Sequence, residues 1–141
     1  MFNANRILKT KYYTDLTAVK PAGSEVYKNY VPNQLETDNY YLISNVQNIE
    51  AGGVNAHKSK VFITIGIYTK TPRENNGVTM DDMADALFSL YPTPQSYPII
   101  EGYQVASVIK ESDNEYPVNM DSGVVFINRQ IIFSHILNKL N

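Results

Sequence analysis

The two histidines are the side chains of this sequence best suited to acid–base or metal chemistry. His57 lies in a polar loop and His135 lies near the C-terminus, far from each other in sequence. No local spacing places either beside a carboxylate or a second metal ligand, and a real site needs a convergent constellation. We therefore expect no catalytic histidine. A site that gathers His57 or His135 with Asp or Glu in three dimensions remains the alternative.

Acidic residues fall in two groups, and neither has the spacing of a known metal site. Asp81, Asp82 and Asp85 invite a hard cation, which carboxylates bind well. They also begin a predicted helix, where the dipole favours negative charge, and this ordinary role explains them better. The other group lies within residues 111–123 and does not match the offsets of a calcium-binding EF-hand loop. We expect no metal site.

Motifs for phosphate binding or nucleophilic catalysis are absent. The pair Gly52-Gly53 belongs to no glycine-rich phosphate loop, and no serine lies in a Gly-x-Ser-x-Gly turn. The chain contains no cysteine, which excludes disulfides and thiolate zinc sites. The sequence thus predicts a protein that is not an enzyme and needs no cofactor.

Length and charge limit the number of domains and the classes of partner that this protein can have. A chain of 141 residues is expected to form a single domain over 1–141. The net charge is −2, and the 12 basic and 14 acidic residues look scattered, without the basic stripe of a nucleic-acid binder. No apolar run approaches the roughly 20 residues that span a bilayer, and the N-terminus lacks a signal-peptide pattern. We expect a soluble protein assembled in a reducing cytosol.

Hydrophobic periodicity predicts the elements of the first half. A helix is predicted over about 3–15, a short extended piece over 26–31 and strands over 38–49 and 58–70. In the second strand Val61, Ile63, Ile65 and Ile67 alternate with polar or smaller residues, which is typical of a half-buried strand. Because the loop at 51–56 is too short for a crossover, the two strands should pair as an antiparallel hairpin.

The second half begins with the clearest helix signal. Thr79 and Asp82 form a capping-box pattern, and apolar residues at helical spacing extend the helix to about residue 91. Strands are predicted over 103–110 and 124–133, joined by a long polar connection at 111–123. The tail at 134–141 fits either a helix or a continuation of the strand. The fold class predicted is α+β: a small, mostly antiparallel sheet of four to five strands with two helices packed on one face.

In this order the elements resemble the tail terminator, or tail completion, proteins of long-tailed bacteriophages. The resemblance covers nearly the whole chain. It begins with the N-terminal helix and the Val26-Tyr27 segment that leads to Pro32. The most similar part is the strand, loop and helix over 58–91, with the Asp-x-x-Ala-Asp-Ala-Leu run that ends at Leu87. No single motif in it is diagnostic.

That resemblance implies a subunit of a homo-oligomeric ring, expected to be a hexamer, located in the tail or neck of a virion. Such a ring would end the tail tube, contact the tail tube protein and a head connector or stopper protein, and let DNA pass without specific binding. It would be assembled in the host cytoplasm and would need no membrane. The loops at 49–58 and 110–123 would be the contact arms. The candidate contact residues are Asn55, His57, Tyr68, Glu111, Asp113, Glu115 and Tyr116.

Two alternatives remain open at this point. One is another ring of the neck, such as a stopper or adaptor, which the sequence does not distinguish from a terminator. A small enzyme or non-catalytic ligand-binding domain is the alternative from a different class of protein.

Overall fold

The computed structural model describes residues 4–33, 39–51, 58–70, 79–119 and 125–140. Two α-helices, one short 3-10 helix and five strands occur in these ranges. In chain order they are α1 (Ala4–Val19), β1 (Glu25–Lys28), β2 (Tyr40–Ala51), β3 (Lys58–Lys70), α2 (Met80–Phe88), the 3-10 helix Pro94–Ser96, β4 (Tyr103–Asn119) and β5 (Val125–Lys139).

The five strands form one mixed sheet in the order β1-β2-β3-β5-β4. Only the β1–β2 pair is parallel, and the other three pairs are antiparallel. The predicted hairpin of β2 and β3 is therefore confirmed, as is the α+β class. β5 is inserted between β3 and β4, so the strand latest in the chain lies inside the sheet.

One face of the sheet holds the hydrophobic core. Ile65 pairs with Ile43 on β2 and with Ile131 on β5, and directly paired residues lie on the same face. All three side chains are fully buried, as are Val61, Ile63 and Ile67. Burying each such side chain stabilises the fold by roughly 1.5–3 kcal/mol. The alternation predicted for β3 is thus confirmed.

Both helices pack on this same face. Leu8, Tyr12 and Leu16 recur every fourth residue of α1 and are buried, because side chains at this spacing lie on one side of a helix. In α2 the buried stripe is Met80, Met83, Ala84 and Leu87. The Tyr41 hydroxyl of β2 donates a hydrogen bond to the Met83 carbonyl, at 2.6 Å, and this ties α2 to the sheet.

The N-terminus of α2 confirms the predicted capping box. The amide of Asp82 donates to Oγ1 of Thr79 at 3.1 Å, and the amide of Thr79 donates to a carboxylate oxygen of Asp82 at 3.3 Å. The helix ends at Phe88 rather than residue 91. Leu90 and Tyr91 still pack against the core from the following turn.

The predicted polar connection at 111–123 is wrong over residues 111–119. This segment continues β4, and its partners on β5 run from Ser112 opposite Ile132 to Asn119 opposite Val125. The register shifts twice along β4, between Val105 and Ser107 and again between Lys110 and Ser112, and each shift leaves one extra residue on the strand. An edge strand needs no apolar alternation where both faces are partly exposed, which is why its polar half resembles a loop.

The two predicted contact arms and the tail are corrected in the same way. Residues 110–119 lie in β4, and 49–51 lie in β2, so neither predicted arm is a free loop over these parts. Deleting 110–123 would remove half of an edge strand, so it would not leave the fold intact. The tail is a strand through Lys139, because Ser134 to Asn138 pair with both β3 and β4 and Lys139 pairs with Tyr103 of β4. The rest of the first arm, at 52–57, lies outside the described residues.

Candidate interaction surfaces

The structure separates the residues predicted as contacts instead of gathering them on loops. Asn55 and His57 lie outside the described residues. Tyr68 is on β3, and the other four, Glu111, Asp113, Glu115 and Tyr116, are on β4. Their neighbours across the strands decide what each of them can do.

Tyrosines form a row across the open face, which is the sheet face opposite the one on which the helices pack. Tyr68 is paired with Tyr40 on β2 and with Asn128 on β5, and Asn128 is in turn paired with Tyr116 on β4. The rings of Tyr40 and Tyr68 stack with centroids 4.7 Å apart, and Tyr27 adds an edge contact to Tyr40 at 5.7 Å. Tyrosine combines a large contact area with a hydroxyl, so such a row is suited to binding another protein surface.

Gly66 allows Tyr68 to lie flat on the sheet. A Cβ at this position would be 2.8 Å from Nε2 of Gln130 and 2.9 Å from Cε2 of Tyr68, closer than real contacts allow. The Tyr68 ring therefore covers the backbone two residues before its own. Gln130 Nε2 donates to the Tyr68 hydroxyl at 3.2 Å and to Oδ1 of Asn128 at 2.8 Å, which orders the middle of the row.

Asp113 points to the helix-covered face and forms an ion pair, so it is not an available contact arm. Arg129 of β5 donates from Nε and Nη2 to the two carboxylate oxygens, both at 2.7 Å. Hydrogen bonds from this guanidinium, outweighing desolvation, lower the pKa of the Asp113 carboxyl. The Arg129 guanidinium and the Lys110 ammonium also lie over the ring of Phe88, at 5.4 and 4.7 Å from its centroid.

Glu111, Glu115 and Tyr116 remain accessible at the outer edge of the sheet. One carboxylate oxygen of Glu111 accepts a hydrogen bond from Oγ of Ser134 at 2.6 Å. Glu115 is exposed opposite Arg129, and the Tyr116 side chain is 50% exposed. These three keep the potential for partner contact that the sequence predicted.

Arg129 and Tyr40 are the important residues that the sequence interpretation missed. Arg129 is a single cation in an otherwise apolar and polar-neutral predicted strand, a pattern that indicates a partner across the strands. Tyr40 could have been found from the antiparallel pairing of β2 and β3, which places it opposite Tyr68 at the open end of the hairpin.

His135 is fully buried and has a structural role. Its Nε2 is 2.6 Å from the Tyr12 hydroxyl and its Nδ1 is 2.9 Å from the Val61 carbonyl oxygen. Burial lowers the pKa of His135 to about 4, so the ring is neutral at pH 7, with Nδ1–H donating to Val61 and Nε2 accepting from Tyr12. Neither ring nitrogen is available for a substrate or a metal.

Next to this pair, Tyr91 donates a hydrogen bond to the Asp15 carboxylate and packs its ring edge-on against Tyr12 with centroids 5.1 Å apart. Burial, and then the bond to Asp15, raise the pKa of the Tyr91 hydroxyl. A cavity of about 230 Å³ opens beside these rings, lined mostly by apolar side chains from the end of α2 and from β4 and β5. It contains one ammonium group, Lys110, and no carboxylate, so it lacks the acid–base pair of a hydrolytic site.

Within the described ranges, no group of three or more histidine, aspartate or glutamate side chains is placed to hold a metal ion. In the same part of the chain, no helix has the length and apolar character needed to cross a membrane. Among the residues that the structure places, the exposed features are an aromatic face and two open strand edges.

The open edges belong to β4 and β2. β4 forms one border of the sheet along all of Tyr103–Asn119. β1 covers β2 only from Tyr40 to Ile43, so among the described residues no strand pairs with the outer side of β2 from there to Ala51. Unpaired strand edges are templates for pairing with another chain.

The fold is shared with a protein of a phage-like particle. Among solved structures, one chain of a particle described as the virion of a native gene transfer agent matches with a TM-score of 0.64. The match covers 98% of this chain and 99% of that chain, at 9% sequence identity. At this identity the similarity establishes the fold and no more. No protein-family model matches the chain, and no curated protein matches it.

Proposed function

We propose that this chain is a structural, non-catalytic virion protein that forms a ring at the head–tail junction, where it ends the tail tube and docks it to the head connector. The observation that carries the proposal is the end-to-end fold similarity to a chain of a gene transfer agent virion. A match over both whole chains supports a shared building unit rather than a shared fragment.

The surface chemistry supports an assembly role. A ring subunit needs two different surfaces that bind each other, and a rotation that closes the circle. β4 and the uncovered part of β2 are such surfaces on opposite sides of the sheet, and the tyrosine row adds a third contact area on the open face. The partners would be further copies of this chain, the tail tube protein and a connector or stopper protein.

The test is to delete the gene in the particle-producing host and to measure tail lengths by electron microscopy. Without a terminator, tube subunits keep adding, so we expect tails of abnormal and variable length that are not joined to heads. Complementation with the intact gene should restore uniform, attached tails. Immunogold labelling of the intact chain should then mark the junction.

Two other outcomes distinguish the alternatives. Tails of normal length that remain unattached to heads would contradict termination and favour an adaptor or stopper ring. Absence of the chain from purified particles would contradict the virion role and favour a ligand-binding domain.

A further inference from the structure

Positive and negative charges are unequally distributed between the region around β1 and the region around β4, the two borders of the sheet. Residues 4–33, which form α1 and β1, contain five lysine and arginine residues and two acids, which gives +3. Residues 79–119, which form α2 and β4, contain seven acids and one lysine, which gives −6. We call these two regions the basic flank and the acidic flank. Even with Arg129 of β5 counted, the acidic flank keeps −5.

Both acids of the basic flank are already paired. Asp15 is 3.4 Å from the Lys11 ammonium, and Glu25 is 3.6 Å from that of Lys20. Lys9 and Lys28 have no carboxylate within salt-bridge distance among the described residues. Instead, Lys9 donates to Asn29 Oδ1 and Lys28 donates to Thr10 Oγ1. Desolvation, and then repulsion from Lys28, lower the pKa of Lys9.

An aromatic groove lies beside these lysines. It has a volume of about 440 Å³ and is bounded by α1 and by the segment that follows β1. Tyr13 and Tyr30 in its wall are 38% and 75% exposed, and the Lys28 ammonium is 5.7 Å from the centroid of the Tyr13 ring. Exposed tyrosines next to cations that lack a carboxylate favour a partner that brings both carboxylates and apolar side chains.

The acidic flank has the complementary properties. Asp81 and Asp85 are exposed one turn apart on α2. The hydrogen bond to Asp113 and, to a lesser extent, the charge of Asp81 raise the pKa of Arg129. Neither Asp81 nor Asp85, however, is within salt-bridge distance of a lysine or arginine of the described ranges. Glu111 and Glu115 are exposed on β4. On the open face of the sheet, β4 also exposes Ile109 and Tyr116, by 52% and 50% of their surface.

The two flanks touch where α1 contacts α2 and in the hydrogen bond from Tyr91 to Asp15, but their outer borders are far apart. β1 and β4 are the two borders of the sheet, four strand spacings apart, which is about 19 Å. Surface charges at this separation are largely screened at physiological salt, where the Debye length is about 8 Å. Each border therefore keeps its own charge, and a second copy of the chain carries the opposite charge at its other border.

We propose that the basic flank of one copy binds the acidic flank of a second copy, head to tail, with Lys9 and Lys28 facing Asp81 and Asp85. The partner is a second copy because the charges are complementary and the two flanks reach opposite borders of the sheet, at β1 and β4. Such a heterologous contact uses two different surfaces, so it repeats from copy to copy and can close a ring. The inference rests on the proposed ring and specifies its contact.

Charge reversal in two matched variants tests this contact by sedimentation velocity. One variant is Lys9→Glu with Lys28→Glu, and the other is Asp81→Lys with Asp85→Lys. Asp82 is left intact because it caps α2. We expect wild type to self-associate at about 20 mM NaCl and to lose at least about tenfold in association constant at about 300 mM. Each variant alone should associate about a hundredfold more weakly, because like charges then face each other.

Mixing the two variants gives the decisive measurement. In an equimolar mixture, the new glutamates of one variant meet the new lysines of the other, and the native flanks of the two also match. We expect association to return to within about tenfold of wild type, with the two variants alternating. The control variant, Lys58→Glu with Lys60→Glu, has the same charge change on the central strand β3, outside both flanks, and should associate like wild type.

Three results would overturn the inference: no wild-type association at low salt, single variants that associate like wild type, or a folded pair that does not associate on mixing. Circular dichroism establishes folding first. If the lysine pair on α2 unfolds, Asp81→Asn with Asp85→Asn replaces it and should give an intermediate loss. The deletion and labelling experiments on particles test the proposed function separately, so either can fail without the other.

Discussion

The two helices are fastened to the same sheet by different chemistry. α1 is held by a buried, neutral hydrogen-bond chain from Tyr12 through His135 to the Val61 carbonyl. The end of α2 is held by partly exposed charges, with Phe88 under Lys110 and Arg129. Buried neutral groups are insensitive to salt but sensitive to protonation, whereas exposed ion pairs are weakened by salt. Acid should therefore loosen α1, and salt should loosen the α2 cluster.

The largest difference should appear when each helix loses its aromatic anchor. Tyr12 is 1% exposed, so Tyr12→Ala should lower the free energy of unfolding by about 3–5 kcal/mol through lost packing and a cavity. Phe88 is only half-buried, so Phe88→Ala should cost about 1–2 kcal/mol. Urea unfolding followed by circular dichroism measures both. Equal losses would mean that the two anchors do not differ as described.

Acid should destabilise the protein through His135. The pKa is about 6.5 in the unfolded chain and about 4 in the folded one, so the unfolded chain binds the extra proton first as pH falls. The stability is fully present above about pH 6.5 and is lost as the pH falls from there towards 4. Between about pH 8 and pH 5 we expect a loss of about 2 kcal/mol.

His135→Asn serves as the matched control for that pH dependence. The variant should be less stable than wild type at the higher pH, but its stability should change little between the two pH values, because the titrating group is gone. Urea titrations at both pH values compare it with wild type. The same pH dependence in both proteins would show that another group is responsible.

Removing the cap of α2 should have a smaller effect. Thr79→Ala removes the oxygen that accepts from the Asp82 amide and should cost about 1 kcal/mol in thermal or urea unfolding. Thr79→Ser keeps the acceptor and should recover most of this loss.

The smallest effect should come from the ion pair of β4 and β5. A double-mutant cycle with Asp113→Ala and Arg129→Met should give a coupling free energy of about 0.5–1 kcal/mol at low salt. The coupling should fall by about half in about 1 M NaCl, because both side chains are partly exposed. A coupling free energy that salt does not change would contradict this contrast, because the ion pair would then be as insensitive to salt as the buried Tyr12–His135 hydrogen bond.

The sequence predicted those elements in which burial imposes a pattern. The bounds of β3 were predicted correctly because Val61 to Ile67 must alternate between core and open face. The capping box at Thr79 was also predicted correctly, because it depends only on two residues that are three positions apart in the sequence. The second half of β4 was missed because this edge strand contains Glu111, Asp113 and Glu115 and lacks the alternation of apolar residues that indicates a strand.

The candidate site was less predictable because its contacts join distant parts of the chain. Asp113 meets Arg129, and Tyr68 meets Tyr40 and Asn128, only after the register is fixed. The charges looked scattered because both signs occur in each half of the sequence. Summing them element by element, α1 with β1 and α2 with β4, is enough to reveal the two flanks from the amino-acid sequence.

The position of β5 between β3 and β4 determines when the molecule can begin to associate during synthesis. Each strand neighbour of β5 leaves the ribosome before it does, and until β5 arrives β4 has no sheet to join. A nascent chain can thus form the β2–β3 hairpin and α1 early, but the surface that holds Glu111, Glu115 and Tyr116 is completed late. Incomplete chains would therefore lack the finished β4 border, one of the two strand edges proposed for association, which would limit premature joining of subunits on the same messenger RNA.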